Sequence, residues 1–247
     1  MRLYLNSLEF IETTEFHDLS ISIRSDKKGA RAWYVNHPTF QAVEADGYIG
    51  SVERGGSTNF RNIFFNPHGH GTHTECVGHI TNEIHSVNER LSQFHFRAQV
   101  ISLTPENIGE DRVILPHHLA EFTFDNTEAL IVRTLPNSIA DKQKNYSNTN
   151  PPYFSVECME QINAWGVQHL LIDLPSVDRE MDGGALLMHN AFWNTVVDEQ
   201  SQKTITEFIY VADGIADGAY ILNLQVAPFE NDAAPSRPIL YGIKKEE

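Results

Sequence analysis

The sequence predicts an α/β fold in which strands outnumber helices, and three observations support it. Seven runs rich in apolar and β-branched residues (FHDLSISI, TNFRNIFF, RAQVISL, EALIVRTL, HLLIDLPSV, ITEFIYV and AYILNLQVAPF) are bounded by Gly, Pro, Asn or Asp, as strands between turns are. Two segments carry apolar residues at helical spacing instead: SVECMEQINAWG, where Ser155 can cap and Gly166 can stop a helix, and ALLMHNAFWNTVVDEQ. The stretch YFSVECMEQINAWGVQHLLIDL leads from one of these helices straight into an apolar strand, which argues for an α/β unit over an all-β sandwich.

The remaining elements follow in order. VNERLSQFHF is a third helical candidate, and the segment from Asn137 to Pro152, rich in Asn, Ser, Lys and Pro, reads as a long polar loop, a lid or a subunit contact. Neither repeats nor low-complexity runs interrupt the chain, and only the final KKEE resembles a frayed tail. With 247 residues, of which 41% are hydrophobic, the chain can bury a core as one domain spanning 1–247.

Charge and cysteine usage exclude several classes. Eighteen Lys and Arg against 33 Asp and Glu give a net charge of −15, whose field repels nucleic acid and anionic membranes. Two cysteines far apart, Cys76 and Cys158, can build neither a disulfide framework nor a four-thiolate zinc site, so a cytoplasmic, reducing setting is expected. The start carries Glu9, Glu12 and Glu15 where an export signal needs an apolar run, and no apolar stretch is long enough to span a bilayer.

Chemistry concentrates in NPHGHGTHTECVGHI, which crowds His68, His70, His73 and His79 with Glu75 and Cys76 into residues 66–80. In an extended segment side chains alternate, so His73, Glu75 and His79 share one face, while Thr74 and Cys76 take the other. Imidazole and carboxylate two residues apart form a chelate for a divalent ion of the Zn²⁺ or Mn²⁺ type. Strict alternation leaves His68 and His70 off that face, but Gly69 and Gly71 permit the tight bend that would swing one of them inward. The competing reading is a polar turn with solvated histidines.

The run Gly71-Thr72-His73-Thr74-Glu75 closely resembles the signature of the cyclase family, which includes bacterial kynurenine formamidases and isatin hydrolases and whose pattern runs His-x-Gly-Thr-His-x-Asp-x-Pro-x-His. Gly71, Thr72, His73 and His79 match; Glu75 stands for the usual Asp, Val77 for Pro, and Gly69 takes the place of the first His. HDLS at His17–Ser20, LIDLPSVD at Leu171–Asp178 and NDAAPSRPIL at Asn231–Leu240 are similar to further family segments, so the likeness runs from about His17 to Leu240. His189 and Glu207 resemble the His and Glu that complete the family's metal site, with a spacing that suggests an insertion around DEQSQKT.

The resemblance implies a swivelling β/β/α architecture, a mixed sheet with few helices, assembled as a homodimer or homotetramer. It implies one or two divalent ions, Zn or Mn, held by His73, Glu75, His189 and Glu207, with His70 or His68 filling the vacancy at Gly69. It implies that His79 is the catalytic acid/base of a metal-dependent hydrolase acting on a C–N bond of an aryl formamide, cyclic amide or related small carbonyl compound. The alternative is a non-hydrolytic member, a small-molecule cyclase or dehydratase or a metal-assisted binding protein; a third is an interaction module with structural histidines. Without the resemblance, His189 inside an apolar helix reads as a core histidine, Glu207 in an apolar strand demands a partner, and Asp173 and Asp178 suit supporting duties. Trp33, Phe64 and Phe65 are candidates to line a pocket or pack a core.

Overall fold

The computed structural model describes residues 1–124, 126–197 and 201–246. Among these, nine strands form one mixed sheet: β1 (His17–Asp18), β2 (His73–Cys76), β3 (His95–Leu103), β4 (Ala129–Thr134), β5 (His169–Ile172), β6 (Thr204–Glu207), β7 (Gly218–Asn223), β8 (Ala233–Pro235) and β9 (Ile239–Gly242). Their order across the sheet is β8-β2-β6-β5-β4-β3-β7-β9-β1. The middle strands β6, β5, β4 and β3 run parallel, and all other neighbours are antiparallel.

Helices α2 (Val156–Ala164) and α3 (Leu187–Trp193) lie in the connections β4–β5 and β5–β6 and cover one face. There Leu130, Val132, Leu170, Ile172 and Ile205 pack against Met159, Ile162, Phe192 and Trp193. The alternate residues Ala129, Ile131 and Leu171 face the opposite side, with Val100, Leu222 and Leu240. Burial on both faces is why these strands read as unbroken apolar runs in the sequence.

Three elements depart from the sequence reading. FHDLSISI pairs in the sheet only at His17 and Asp18; beyond them the chain docks through Tyr210 N donating to Leu19 O (2.8 Å) and Ile21 N donating to Thr72 Oγ1 (2.7 Å). TNFRNIFF forms a strand over Arg61–Phe64 but pairs only with Thr39–Ala42, in an exposed two-stranded ribbon. VNERLSQFHF yields one turn, α1 (Val87–Arg90), because His95 and Phe96 already belong to β3.

Helix α2 ends beyond Ala164 with Gly166 at φ 78°. Helix α3 stops at Trp193, where Asn194 takes a left-handed cap (φ 56°) ahead of β-branched Thr195, Val196 and Val197. The end of its expected span and the start of the suggested insertion, residues 198–200, lie outside the described residues. The Asn137–Pro152 segment folds back on the body: Tyr146 is buried with its ring 5.6 Å from Phe208, and Asn145 bridges Arg31. No helix among the described residues is long and apolar enough to cross a membrane.

Candidate metal centre

The centre is built on β2, flanked by β6 and β8. Register sets Glu207 directly opposite His73, and places Ile205 and Ala233 on either side of Glu75. Thr74 and Thr206 turn to the other face, where their hydroxyls hydrogen-bond at 2.8 Å. His73, Glu75 and Glu207 therefore share the helix-covered face, as strand alternation requires. All three are almost fully buried.

The loop before β2 brings in the next residue. Gly71 adopts φ 92°, and a Cβ there would lie 2.7 Å from the backbone oxygen of Ile21, so the bend admits only glycine. This bend brings His68 inward and leaves His70 outside. His70 Nε2 donates to Asn36 O (2.6 Å) while its Nδ1 accepts from Asn66 N (2.8 Å), which uses up both ring nitrogens of a neutral imidazole. His70 thus stands apart from the cluster and staples two loops, and of the two candidates for the place at Gly69 it is His68 that turns inward. His68 Nδ1 lies 2.9 Å from Glu75 Oε2 and its Nε2 lies 2.8 Å from Asp232 Oδ2.

His79 arrives differently from its prediction. The strand ends at Cys76, and Val77–His79 forms a 3₁₀ turn, so His79 meets Glu75 as a helical i,i+4 neighbour (Nε2 to Oε2, 4.0 Å). Its ring stacks on that of His68 at 4.2 Å, and its Nδ1 faces Asp232 Oδ2 at 3.2 Å. His189 descends from α3 with Nε2 3.0 Å from Glu75 Oε1 and 3.9 Å from Glu207 Oε1. Asp178 holds it: its carboxylate accepts Met188 N (2.9 Å) and His189 N (3.1 Å) and faces His189 Nδ1 at 2.5 Å.

Hydrogen bonding decides what the cluster can accept. His73 Nδ1 donates to Gly71 O (3.1 Å), so its Nε2 presents a lone pair to Glu207 Oε2, 3.4 Å away. His73 Nε2 and Glu207 Oε1 are buried without a hydrogen-bond partner, and Glu75 Oε2 faces His68 Nδ1 at 2.9 Å without hydrogen-bond alignment. His68 and His189 each lie between two carboxylates, so something positive must stand at the inward nitrogen. Protons can fill that role: burial opposes the charge on His68 and His189, yet the flanking carboxylates prevail and lift each to about 10. Burial likewise opposes charge on Glu75, but His79, His189 and His68 hold its carboxyl well below the usual range, whereas burial and Glu75 push Glu207 up. A divalent ion fits the same places, because its ligands are deprotonated imidazoles and carboxylates, and here His73, His189 and His68 are steadied from behind by Gly71 O, Asp178 and Asp232. Two triads, His73-Glu75-Glu207 and His68-Glu75-His79, have ligand atoms within 4.8 Å of one another.

The cluster opens on a cavity of about 310 Å³ lined by Trp33, Asn66, His68, His79, Ser176, Leu186, His189 and Glu207. Trp33 thus lines the pocket as a candidate wall. Phe64 projects from the exposed ribbon (59% exposed), and Phe65 packs on Phe229 with ring centres 6.1 Å apart. Sequence reasoning passed over Asp232 altogether. It stands in the quoted NDAAPSRPIL segment, but only the antiparallel pairing of β8 with β2 shows that it lies beside His68 and His79.

A strand-borne histidine and carboxylate, completed by a helix-borne histidine and a cross-strand glutamate, define a candidate metal centre at the edge of an α/β sheet. The Cyclase family model matches residues 17–179, and the chain belongs to that family. Among solved structures, a novel cyclase is similar at 15% identity and TM-score 0.66, covering 94% of this chain and 90% of the other. Isatin hydrolase A from Labrenzia aggregata, bound to benzyl benzoate, is similar at 14% identity and TM-score 0.64, covering 92% and 93%. A predicted metal-dependent hydrolase from Bacillus stearothermophilus is similar at 14% identity and TM-score 0.64, covering 92% and 98%. These likenesses show the fold, α/β with a mixed sheet and few helices. No curated protein matches the sequence.

Proposed function

We propose that the protein is a metal-dependent hydrolase that cleaves a C–N bond of an aryl formamide, as a kynurenine formamidase does, or of a cyclic amide or related small carbonyl compound. The observation that carries the proposal is the buried set of inward lone pairs on His73, Glu75 and Glu207 beside the cavity. His73, Glu75, His189 and Glu207 would hold the metal, with His68 in the place expected of His70. Glu75 lies between His68 on one side and His73 and His189 on the other, so its carboxylate would serve one ion or two. Imidazole and carboxylate donors accept Zn²⁺ or Mn²⁺. Bound there, such an ion supplies Lewis acidity, polarising a carbonyl and making water acidic enough to attack near neutral pH.

The chain's own residues supply the rest. His79 lines the cavity, and Asp232 at Nδ1 fixes the ring so that Nε2 can exchange a proton. As a water oxygen adds to the carbonyl carbon and the C–N bond breaks, His79 Nε2 would take the proton from that water and deliver it to the leaving nitrogen. Trp33 and Leu186 would pack the organic part of the substrate.

We further read the chain as one domain, because a single sheet draws strands from His17 to Gly242. A homodimer or homotetramer is supported by the ribbon that exposes Phe60, Ile63 and Phe64. A cytoplasmic setting is supported by two buried free cysteines. The test of the activity is turnover by metal-loaded protein across aryl formamides, cyclic amides and lactones. Release of amine or ring-opened acid supports the reading, and tight binding of an aromatic acid with no turnover anywhere in the panel would overturn it.

A further inference from the structure

Asp178 and Glu180 support the cavity from two directions without lining it. Asp178 fixes His189, as described above, whereas Glu180 reaches the wall that carries Trp33. Glu180 Oε1 accepts Asn148 N (2.6 Å) and the Tyr34 hydroxyl (3.0 Å), and Oε2 accepts Asn150 N (3.0 Å) and Thr149 N (3.2 Å). Three successive backbone donors curled around a carboxylate form an anion-binding nest, here filled by a side chain of the same chain. Tyr34 N also donates to Ser147 Oγ (2.9 Å), and Arg31 N and O pair with Lys144 O (3.0 Å) and Tyr146 N (2.8 Å). Glu180 thus closes a zipper between residues 31–34 and 144–150.

That zipper holds conformations the chain would otherwise avoid. Trp33 and Tyr34 adopt φ 58° and 59°, and Asn148 and Asn150 adopt 62° and 44°. Two consecutive left-handed aromatic residues are costly for L-amino acids and persist only where surrounding contacts fix them. The strain falls at the residue whose indole lines the cavity beside His68 and His79.

We propose that Glu180 is a positioning residue: through Tyr34 and the 148–150 backbone it locks Trp33 in its left-handed conformation and thereby sets the organic-substrate wall of the pocket. The substrate side of this inference rests on the hydrolase reading above; the effect on Trp33 does not. Losing one carboxylate oxygen in Glu180→Gln leaves part of the nest unpaired, and Tyr34→Phe removes only the phenol donor.

The experiment compares wild type, Glu180→Gln and Tyr34→Phe, with Trp33→Phe to assign the Trp33 part of the fluorescence. The readouts are emission quenching by 4-nitrobenzoate, metal content by elemental analysis, and the KM and kcat for an aryl formamide. Expected for Glu180→Gln are metal content as in wild type, Trp33 emission shifted to the red with weaker quenching, and a KM raised roughly tenfold, with a smaller change in kcat. Tyr34→Phe is expected to shift in the same direction by less. If Glu180→Gln does not fold, Tyr34→Phe alone decides. Unchanged Trp33 emission and KM would overturn the proposal. So would loss of metal in step with kcat, since Glu180 would then act through Asp178 and His189. If wild type hydrolyses nothing, the hydrolase reading fails while the emission and quenching still test the role of Glu180.

Discussion

Replacing Asp173 by asparagine is expected to stabilise the protein at pH 8 and to have no such effect near pH 4. Asp173 follows β5, where its Oδ2 accepts Thr134 N at 2.7 Å while Oδ1 is buried without a partner. The cavity around it is lined by Arg112, Thr134, Asp141, Lys144 and Tyr146, among others. Burial, opposed in part by Thr134 and reinforced by the negative charge of Asp141, raises its carboxyl from 3.8 to about 7. Below pH 3.8 the group is protonated in both folded and unfolded chains, and no penalty exists. Between pH 3.8 and 7 only the folded chain holds the proton, so stability falls as pH rises; above 7 the full penalty stands. At about 1.4 kcal/mol per pH unit the penalty reaches about 4 kcal/mol. An asparagine keeps an acceptor for Thr134 N and carries no charge, so it is expected to recover about 2–4 kcal/mol at pH 8, several degrees in Tm for a chain of this size. The assay is thermal unfolding of both proteins from pH 4 to pH 8. A Tm difference that does not grow with pH would refute the reasoning, because it would mean that Asp173 ionises without cost.

Three further outcomes follow from the geometry. His68→Ala is expected to lower bound metal, whereas His70→Ala should leave metal content unchanged and cost about 1–3 kcal/mol of stability through its lost hydrogen bonds, measurable by elemental analysis and urea unfolding. His79→Gln is expected to keep its metal and lose roughly 100-fold or more in kcat, as removal of a general acid/base does; loss of metal instead would make His79 a ligand of the His68-Glu75-His79 triad. Thr72→Val removes a buried hydroxyl that accepts Ile21 N and donates to Phe208 O, and should cost about 1–3 kcal/mol in denaturant unfolding.

Much of the sheet was legible because β4 and β5 are buried on both faces and write apolar runs. The ribbon strand Arg61–Phe64 carries a similar composition yet stays exposed, since local pattern does not reveal whether a second layer covers it. Strand alternation correctly put His73 and Glu75 on one face and predicted a partner for Glu207, because those relations are local or follow from the cost of a buried charge. The contest between His68 and His70 was not decidable from sequence. It depends on the bend at Gly71 and on the Asn36 carbonyl that satisfies His70, a contact 34 positions away. Asp232 escaped notice for the same reason: it meets His68 across 164 positions of chain.

Turnover is expected to depend on a divalent ion held by the cluster that shares Glu75. The most direct test is metal content and aryl-formamide turnover measured side by side for wild type and Glu75→Gln, each shown by circular dichroism to be folded. Bound metal and turnover are expected in wild type, and the loss of both in Glu75→Gln. Full metal content and undiminished turnover in Glu75→Gln would contradict that dependence.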